Sequence, residues 1–485
     1  MKIGEIRGKG RKGFFWLLLG TAGQNSLQLI SILVLARILT PEEFGVVGIG
    51  AAVIAFLRIF AEIGVGPALV QKESISHLDT KTATTLSLVL GIVLAVFLYL
   101  QAERLSVFFG MVDLAVVLET LAFMLPVISY SIVGQSLLQR RFDFKKLSLI
   151  TFLSYLIGYG FVSIYLALNG YGLWSLIAAY WVQSIVFLIL LLLVCGDTLK
   201  FGFNGSSAKE MLVYGFGHSL ARLCNYAAGQ GDNLIIGKVL GSESVGLYGR
   251  AYQIMSMPAI LFGSVIDKVF FPLMARMQDN KDELKRIYLS SIYFSFLVFI
   301  YLSGYAFIFS DQIVHALFGS GWSYVSTLIE IMSVGLCFRI GYKFSDCLAM
   351  AVGSVYIRAV VQFIYALSVL AFVVFGSQWG LIGAAVGVVL AIALNYLMMM
   401  LLAWRVLDFN LLFVFLQHLK VLALFSISFS LFWFFDALVY VELPLLSFLI
   451  SSCIYMLSFG FVILVFFRCL ADEMAVVRLV LNKNW

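Results

Sequence analysis

The sequence predicts an all-α polytopic membrane protein with about fourteen transmembrane helices: two parallel six-helix repeat lobes, then two extra helices. Three observations lead there. The 485 residues are 62% hydrophobic and only 12% charged, with a mean hydropathy of +1.02. Soluble domains carry about 25% charged residues, and a water-soluble fold could not hide this much apolar surface. Apolar runs long enough to cross a bilayer recur along the whole chain, separated by short loops. A polar stripe and the motif after it occur twice, 201 residues apart.

Thr21, Gln24, Gln28 and Ser31 step by three, four and three residues, which puts them on one helix face. The same face of a later segment carries Arg222, Asn225, Gly229 and Asp232. Beyond the stripe, "LARILTPEEFGVVG" (35–48) aligns without gaps with "IGKVLGSESVGLYG" (236–249), so that Leu39, Glu42, Gly45 and Gly48 fall on Leu240, Glu243, Gly246 and Gly249. A duplicated bundle with a polar face inside apolar segments suits a transporter whose site lies between two halves.

The expected spans run at about 13–36, 44–70, 82–102, 114–138, 147–168 and 171–195, then 211–238, 246–273, 287–310, 323–351, 358–376 and 380–404, with 411–435 and 445–468 after them. The basic start followed by "FFWLLLG" resembles a signal peptide. Its apolar character continues past residue 30 with no small-x-small cleavage site, so a retained first span is expected. The run "LSVFFG" at 105–110 reads as a short interfacial segment. A second match, "YGLWSL" (171–176) with "WGLIGA" (379–384) at an offset of 208, closes each copy at six spans. The expected domains are therefore 1–198 and 199–405, with 406–485 holding two extra helices and a tail. Six is even, so both copies enter from the same side and the repeats are parallel.

Orientation follows from the loops. One side receives 22 Lys and Arg, including Lys72, Lys81, Arg140, Arg141, Lys145, Lys146, Lys281 and Lys285; the other receives Arg37 and Arg104. The first side is expected to be cytoplasmic, with both termini on it. The net charge of +6 is thus a topology signal and points to no nucleic-acid partner. The six cysteines are scattered without CxxC spacing and read as reduced packing thiols; the four histidines are dispersed, so no metal site is expected. Gly231 to Lys238 superficially looks like a phosphate-binding loop but has the wrong spacing and no following Ser or Thr. No nucleotide site or cofactor is expected.

Ionisable groups inside a span cost several kcal/mol, roughly 2.5–3.5 on insertion scales, and call for a reason. Arg58 and Glu62 lie four apart, either as a self-satisfied pair or as part of a site. Arg222 and Asp232 lie on the repeated stripe, and Arg339, Lys343 and Asp346 share one face of the tenth span. Within the spans, eight basic residues face four acidic ones. Unpaired cations in a cavity suit an anionic group such as a phosphate or pyrophosphate. The candidate substrate-binding residues are therefore Arg222, Arg339, Lys343, Gln24, Gln28, Asn225 and Arg58. Glu62, Asp232 and Asp346 are candidates for ion pairing or ion coupling.

"LARILTPEEFGVVGI", "GVGPALVQKE", "QRRFDFKKL", "YGLWSL", "DNLIIGKVLGSESVGLYGRAYQI" and "FPLMARMQDNKDELKRIY" resemble the Wzx-type polysaccharide flippases. The nearest likeness is to the colanic-acid-exporter-like branch of the multidrug/oligosaccharidyl-lipid/polysaccharide (MOP) superfamily, over about residues 10–405. The resemblance implies a V-shaped pair of lobes, alternating access and a lipid-linked oligosaccharide as cargo. Members move an undecaprenyl-pyrophosphate-linked repeat unit from the cytoplasmic to the periplasmic leaflet of the bacterial inner membrane, for lipopolysaccharide or exopolysaccharide assembly. Implied partners are membrane lipids and the polymerase and glycosyltransferases of the pathway. The family supplies no strict catalytic motif, so the site residues rest on the polar-stripe argument.

Two other readings stand beside this one. A polysaccharide polymerase or ligase needs a sizeable external loop with acid/base residues, whereas the external loops here are as short as "NGYG" and "SQWG". A drug antiporter of the same superfamily would favour acidic residues for cationic cargo, whereas these spans are net basic.

Overall fold

A backbone in hydrocarbon must satisfy its own polar groups, which a helix does within one segment. The structure, a computed structural model, describes residues 20, 23–62, 65–72, 74–196, 198–438 and 444–466, and among these all regular structure is helical. Thr21 lies outside the described residues, as do the side chains of His218, Asn225 and Lys268.

The first half comprises α1 (Gly23–Ala36), α2 (Pro41–Glu62), α3 (Val65–Gln71), α4 (His77–Phe109), α5 (Leu114–Ala122), α6 (Met124–Arg140), α7 (Phe144–Leu168) and α8 (Leu173–Cys195). Then come α9 (Gly205–Val265), α10 (Phe271–Arg276), α11 (Lys281–Ile308), α12 (Ser310–Phe318), α13 (Tyr324–Val334), α14 (Leu336–Ala351), α15 (Val355–Gly376), α16 (Gly380–Leu407), α17 (Leu411–Asp436) and α18 (Pro444–Val465). By length and composition, eight stretches among the described residues can cross a membrane, or up to ten if the bent pairs α5–α6 and α13–α14 each count as one span. The sequence expects about fourteen. Part of the difference lies in how the chain is divided. The stretch Tyr356–Leu407 is counted once but holds α15 and α16, and α9 covers two expected spans across a break at Gly241, where φ is 85°.

Local chemistry sets the helix ends. Ser76 caps α4 in a reciprocal box: its Oγ accepts the Asp79 N–H at 3.0 Å, and the Asp79 carboxylate accepts the Ser76 N–H at 2.9 Å. The far end of α4 runs through 105–109 and stops at Gly110, with φ of 69°. "LSVFFG" is therefore the last turn of a long helix, not the separate interfacial segment the sequence suggests. Arg140 at the end of α6 donates to the carbonyls of Leu69 and Val70 at 3.0 and 3.1 Å, capping α3. Lys72 reaches Glu210 at 2.8 Å and Asp79 at 3.4 Å, and the Glu210 carboxylate beside it raises its ammonium above the usual lysine value.

By internal contacts the chain forms two compact units, Met1–Gly249 with Leu317–Gly321, and Arg250–Ala316 with Trp322–Trp485. The sequence match assigns the first arm of α9 to the second copy, whereas its contacts assign it to the first unit. The duplicated motifs adopt matching backbone. The α5–α6 and α13–α14 pairs, the fourth and tenth expected spans, each bend by 41°. Gly172 and Gly380, paired in the 208-residue match, share a positive φ (52° and 74°) with extended ψ (−133° and −161°), a conformation that favours glycine.

In the first unit a core of Val65, Leu69, Ala83, Val133, Leu138 and Leu191 joins α3, α4, α6 and α8. In the second, α11 is well buried, and α17 and α18 dock on it through aromatic residues. Tyr301 donates to the Leu424 carbonyl at 3.2 Å, Tyr455 donates to the Tyr301 carbonyl at 2.7 Å, and the Tyr301 and Phe459 rings lie 3.8 Å apart.

Candidate functional site

The site in the first unit starts from how α2 meets the first arm of α9. Thr40 caps α2: Glu43 Oε2 accepts the Thr40 N–H at 2.8 Å, and Thr40 Oγ1 accepts the Glu43 N–H at 3.3 Å. Pro41 occupies the first helical position, where a missing N–H does no harm. From there the two helices run antiparallel. Gly45 sits against Ser242, Gly237 against Ile49 and Gly246 against Pro41. Tyr226 Oη donates to the Ala52 carbonyl at 2.5 Å, and Ser219 Oγ to the Ile59 carbonyl at 3.5 Å. Small residues let the backbones approach closely, which fixes the register and brings Arg222 level with Glu62.

Three charges meet at that end. Arg58 Nε donates to Glu62 Oε1 at 2.8 Å, one turn along α2, and Arg222 donates to Glu62 Oε2 from α9. The Glu62 side chain is 10% exposed, whereas those of Arg58 and Arg222 are 44% and 43% exposed. One buried carboxylate thus holds two accessible guanidiniums, and the cluster carries one surplus positive charge. Counting signs along the sequence suggests that Arg222 stands alone; the geometry gives it Glu62.

Arg58 also lines a cavity of about 250 Å³ inside the first unit. Gln24 from α1, Gln135 from α6 and Gln183 from α8 line it too, with the hydroxyls of Ser131, Thr151 and Ser184. Gln24 and Arg58 are legible in the sequence as site residues; Gln135 and Gln183 are not. Their only signal is an amide within an apolar run. The second unit holds a contrasting cavity of about 340 Å³ among Phe296, Ile300, Phe307, Phe338, Phe425 and Phe429.

The other expected residues lie elsewhere. Arg339 donates to Tyr252 Oη and stacks on that ring, its guanidinium carbon 4.5 Å from the centroid. Lys343 lies one turn on, its ammonium 5.6 Å from the Tyr342 ring. Asp346 is buried and receives a fork from Arg358, Nε at 2.6 Å and Nη2 at 3.1 Å. Arg358, the first residue of the eleventh span expected from sequence, lies in the opening turn of α15, across a tight turn from Asp346. Asp232 is buried and accepts from Tyr248 Oη at 2.6 Å and from the Asn233 N–H at 2.8 Å. Gln28 is half-buried on α1, and Gly229 is exposed on α9. Among the described residues no group of three or more His, Cys, Asp or Glu could hold a metal ion.

This architecture is that of the multi-span helical transporters. A lipid II flippase MurJ structure in an inward closed conformation matches with a TM-score of 0.73 at 16% identity, over 94% of this chain and 99% of that one. An inward-facing multidrug resistance MATE family transporter of the MOP superfamily matches with a TM-score of 0.62 at 17% identity, over 79% and 94%. At such identities the likeness is one of fold. Sequence supplies the family: the profile described as "Polysaccharide biosynthesis protein" matches residues 34–327, more than half of the chain, which belongs to that family.

The lipopolysaccharide biosynthesis protein WzxC of Escherichia coli (strain K12) is 26% identical over 410 residues, 81% of this chain and 80% of that one. The succinoglycan biosynthesis transport protein ExoT of Rhizobium meliloti (strain 1021) is 26% identical over 322 residues, 66% of this chain and just under two thirds, 64%, of that one. The teichuronic acid biosynthesis protein TuaB of Bacillus subtilis (strain 168) is 25% identical over 373 residues, 75% and 77%. The Wzx-type resemblance read from the motifs is borne out, and the chain is a multi-pass membrane protein of polysaccharide biosynthesis.

Proposed function

We propose that this protein flips an undecaprenyl-pyrophosphate-linked oligosaccharide from the cytoplasmic to the periplasmic leaflet of the bacterial inner membrane. It does so by alternating access of two six-helix repeat lobes, 1–198 and 199–405, within a fourteen-span chain whose termini are both cytoplasmic. The cargo then passes to the polymerase of a surface-polysaccharide pathway. The observation that carries this reading is the Arg58–Glu62–Arg222 cluster, two accessible guanidiniums on one buried carboxylate. Glu62 holds them in place without cancelling both charges, which leaves donor forks that suit the oxygens of a pyrophosphate.

Gln24, Gln28 and Asn225 belong to the same repeated stripe and complete the polar surround of the cargo. Arg339 and Lys343 form a second cationic station on α14, and Asp232 and Asp346 serve as ion-pair or coupling groups. The test is surface-polysaccharide assembly in cells carrying Arg222→Ala at normal membrane abundance. Loss of one charge-assisted contact, worth roughly 1.5–3 kcal/mol, should lower transport by about tenfold or more. Wild-type transport by this variant rejects the anion assignment.

A further inference from the structure

The cavity of the first unit holds chemistry that an anion site does not need. Gln24, Gln135 and Gln183 converge on it from three helices, and none of their side-chain amides hydrogen-bonds to a described residue. Each amide offers two donors and an acceptor. No Asp or Glu is among the cavity's described lining, so it does not suit a cation. A phosphate asks only for donors, and the one guanidinium present, that of Arg58, already spends its Nε on Glu62. Paired donors and acceptors, with the apolar ring of Phe187 also in the lining, match a ring that carries neighbouring hydroxyls.

The fold does not demand these amides. Carrying the offset of 208 two turns further along α8 and α16 sets Gln183 against Ala391, which is fully buried, so the second helix packs at this position with no polar group. The neighbouring helix is shaped toward the same point. α7 turns π-helical over Leu156–Ser163, and there Gly158 packs against the Ala179 carbonyl and the backbone of Gln183. Such π segments are frequent at functional sites.

We propose that this cavity binds a sugar ring of the cargo, with Gln24, Gln135 and Gln183 reading its hydroxyls while the adjoining arginines face the anionic head. The proposal rests on the flippase reading above. A site built to hydrogen-bond hydroxyls discriminates strongly once its own polar groups would be left unpaired.

The test uses the full chain with its native cysteines replaced and Ser184→Cys introduced, labelled with a maleimide in membrane vesicles. The vesicles come from cells that assemble the complete lipid-linked repeat unit, or from cells lacking the initiating glycosyltransferase, which hold only the carrier phosphate. Labelling should slow by roughly two- to tenfold in the first membranes alone, the range expected of hydrogen-bonded occupancy. Equal labelling in both, or equal protection by the carrier phosphate, overturns the proposal. A second measurement needs no cysteine replacement. Gln183→Ala, the residue of the second copy, combined with Gln135→Leu should lower transport by about tenfold at normal abundance, and wild-type transport overturns the proposal. Failure of the flippase reading shows differently: a strain lacking the protein would still deliver its repeat unit.

Discussion

Gly45 and Gly246 occupy the same position of the duplicated motif, and each rests on the backbone carbonyl of the residue four before the other: Gly45 on Ser242, Gly246 on Pro41. The contact is thus its own image under the 201-residue repeat. A Cβ on either glycine would collide with a carbonyl oxygen that cannot rotate away. Gly45→Ala and Gly246→Ala should each destabilise the detergent-solubilised protein by about 1–3 kcal/mol, read as a lower midpoint of heat-induced aggregation. Gly249→Ala, whose Cβ meets nothing within 4 Å, should leave the midpoint unchanged. Equal midpoints for all three would show that the crossing is not close.

The Arg58–Glu62–Arg222 cluster should couple energetically. Both arginines are more than 40% exposed, so the coupling of Glu62 with Arg222 should be about 1 kcal/mol rather than the ~3–5 kcal/mol of a broken buried pair. A double-mutant cycle of Glu62→Gln and Arg222→Gln on thermal stability measures it. Strict additivity would mean the two side chains do not interact.

Arg222→Lys separates charge from shape. A lysine keeps the positive charge but cannot present a planar fork. Transport well below wild type in Arg222→Lys supports fork recognition of the headgroup, and full transport means that charge alone suffices.

In the second unit, Arg358→Ala strips a buried carboxylate of both donors and should cost about 3 kcal/mol. Asp346→Asn with Arg358→Gln, which removes both charges together, should recover part of it. The midpoint of heat-induced aggregation reports both.

Topology is tested by reporter fusions. Fusions at Lys145 and Lys281 should report cytoplasm, and fusions at Glu42 and Gly319 periplasm, since the fourteen-span reading of the sequence assigns 22 basic loop and tail residues to one side against 2 to the other. The reversed pattern would sink the parallel-repeat arrangement.

Much of the fold is legible because membrane helices are written in local signals: apolar runs, the Thr40-Pro41 start, the Gly172 and Gly380 turns. The repeat is legible because its motif aligns without gaps at 35–48 and 236–249, with Leu39, Glu42, Gly45 and Gly48 kept as Leu240, Glu243, Gly246 and Gly249. The site is only half legible. Arg58 and Glu62 announce themselves because four residues is one helical turn. Arg222 lies 160 residues from Glu62, and only the packed register of α2 on α9 joins them. Asp346 and Arg358 sit on two helices, and the short turn that brings them together looks like an ordinary loop in sequence. Gln135 and Gln183 have no partner at a fixed spacing, because what unites them is a cavity.

The most direct measurement of the central claim is the leaflet distribution of the lipid-linked repeat unit. In cells lacking the protein, the undecaprenyl-linked unit should accumulate on the cytoplasmic face of the membrane, shielded from a periplasmic glycan-binding probe. Restoring the wild-type chain should expose it, and the Arg222→Ala chain at equal abundance should expose about tenfold less. Periplasmic exposure that is the same with and without the protein would contradict the account.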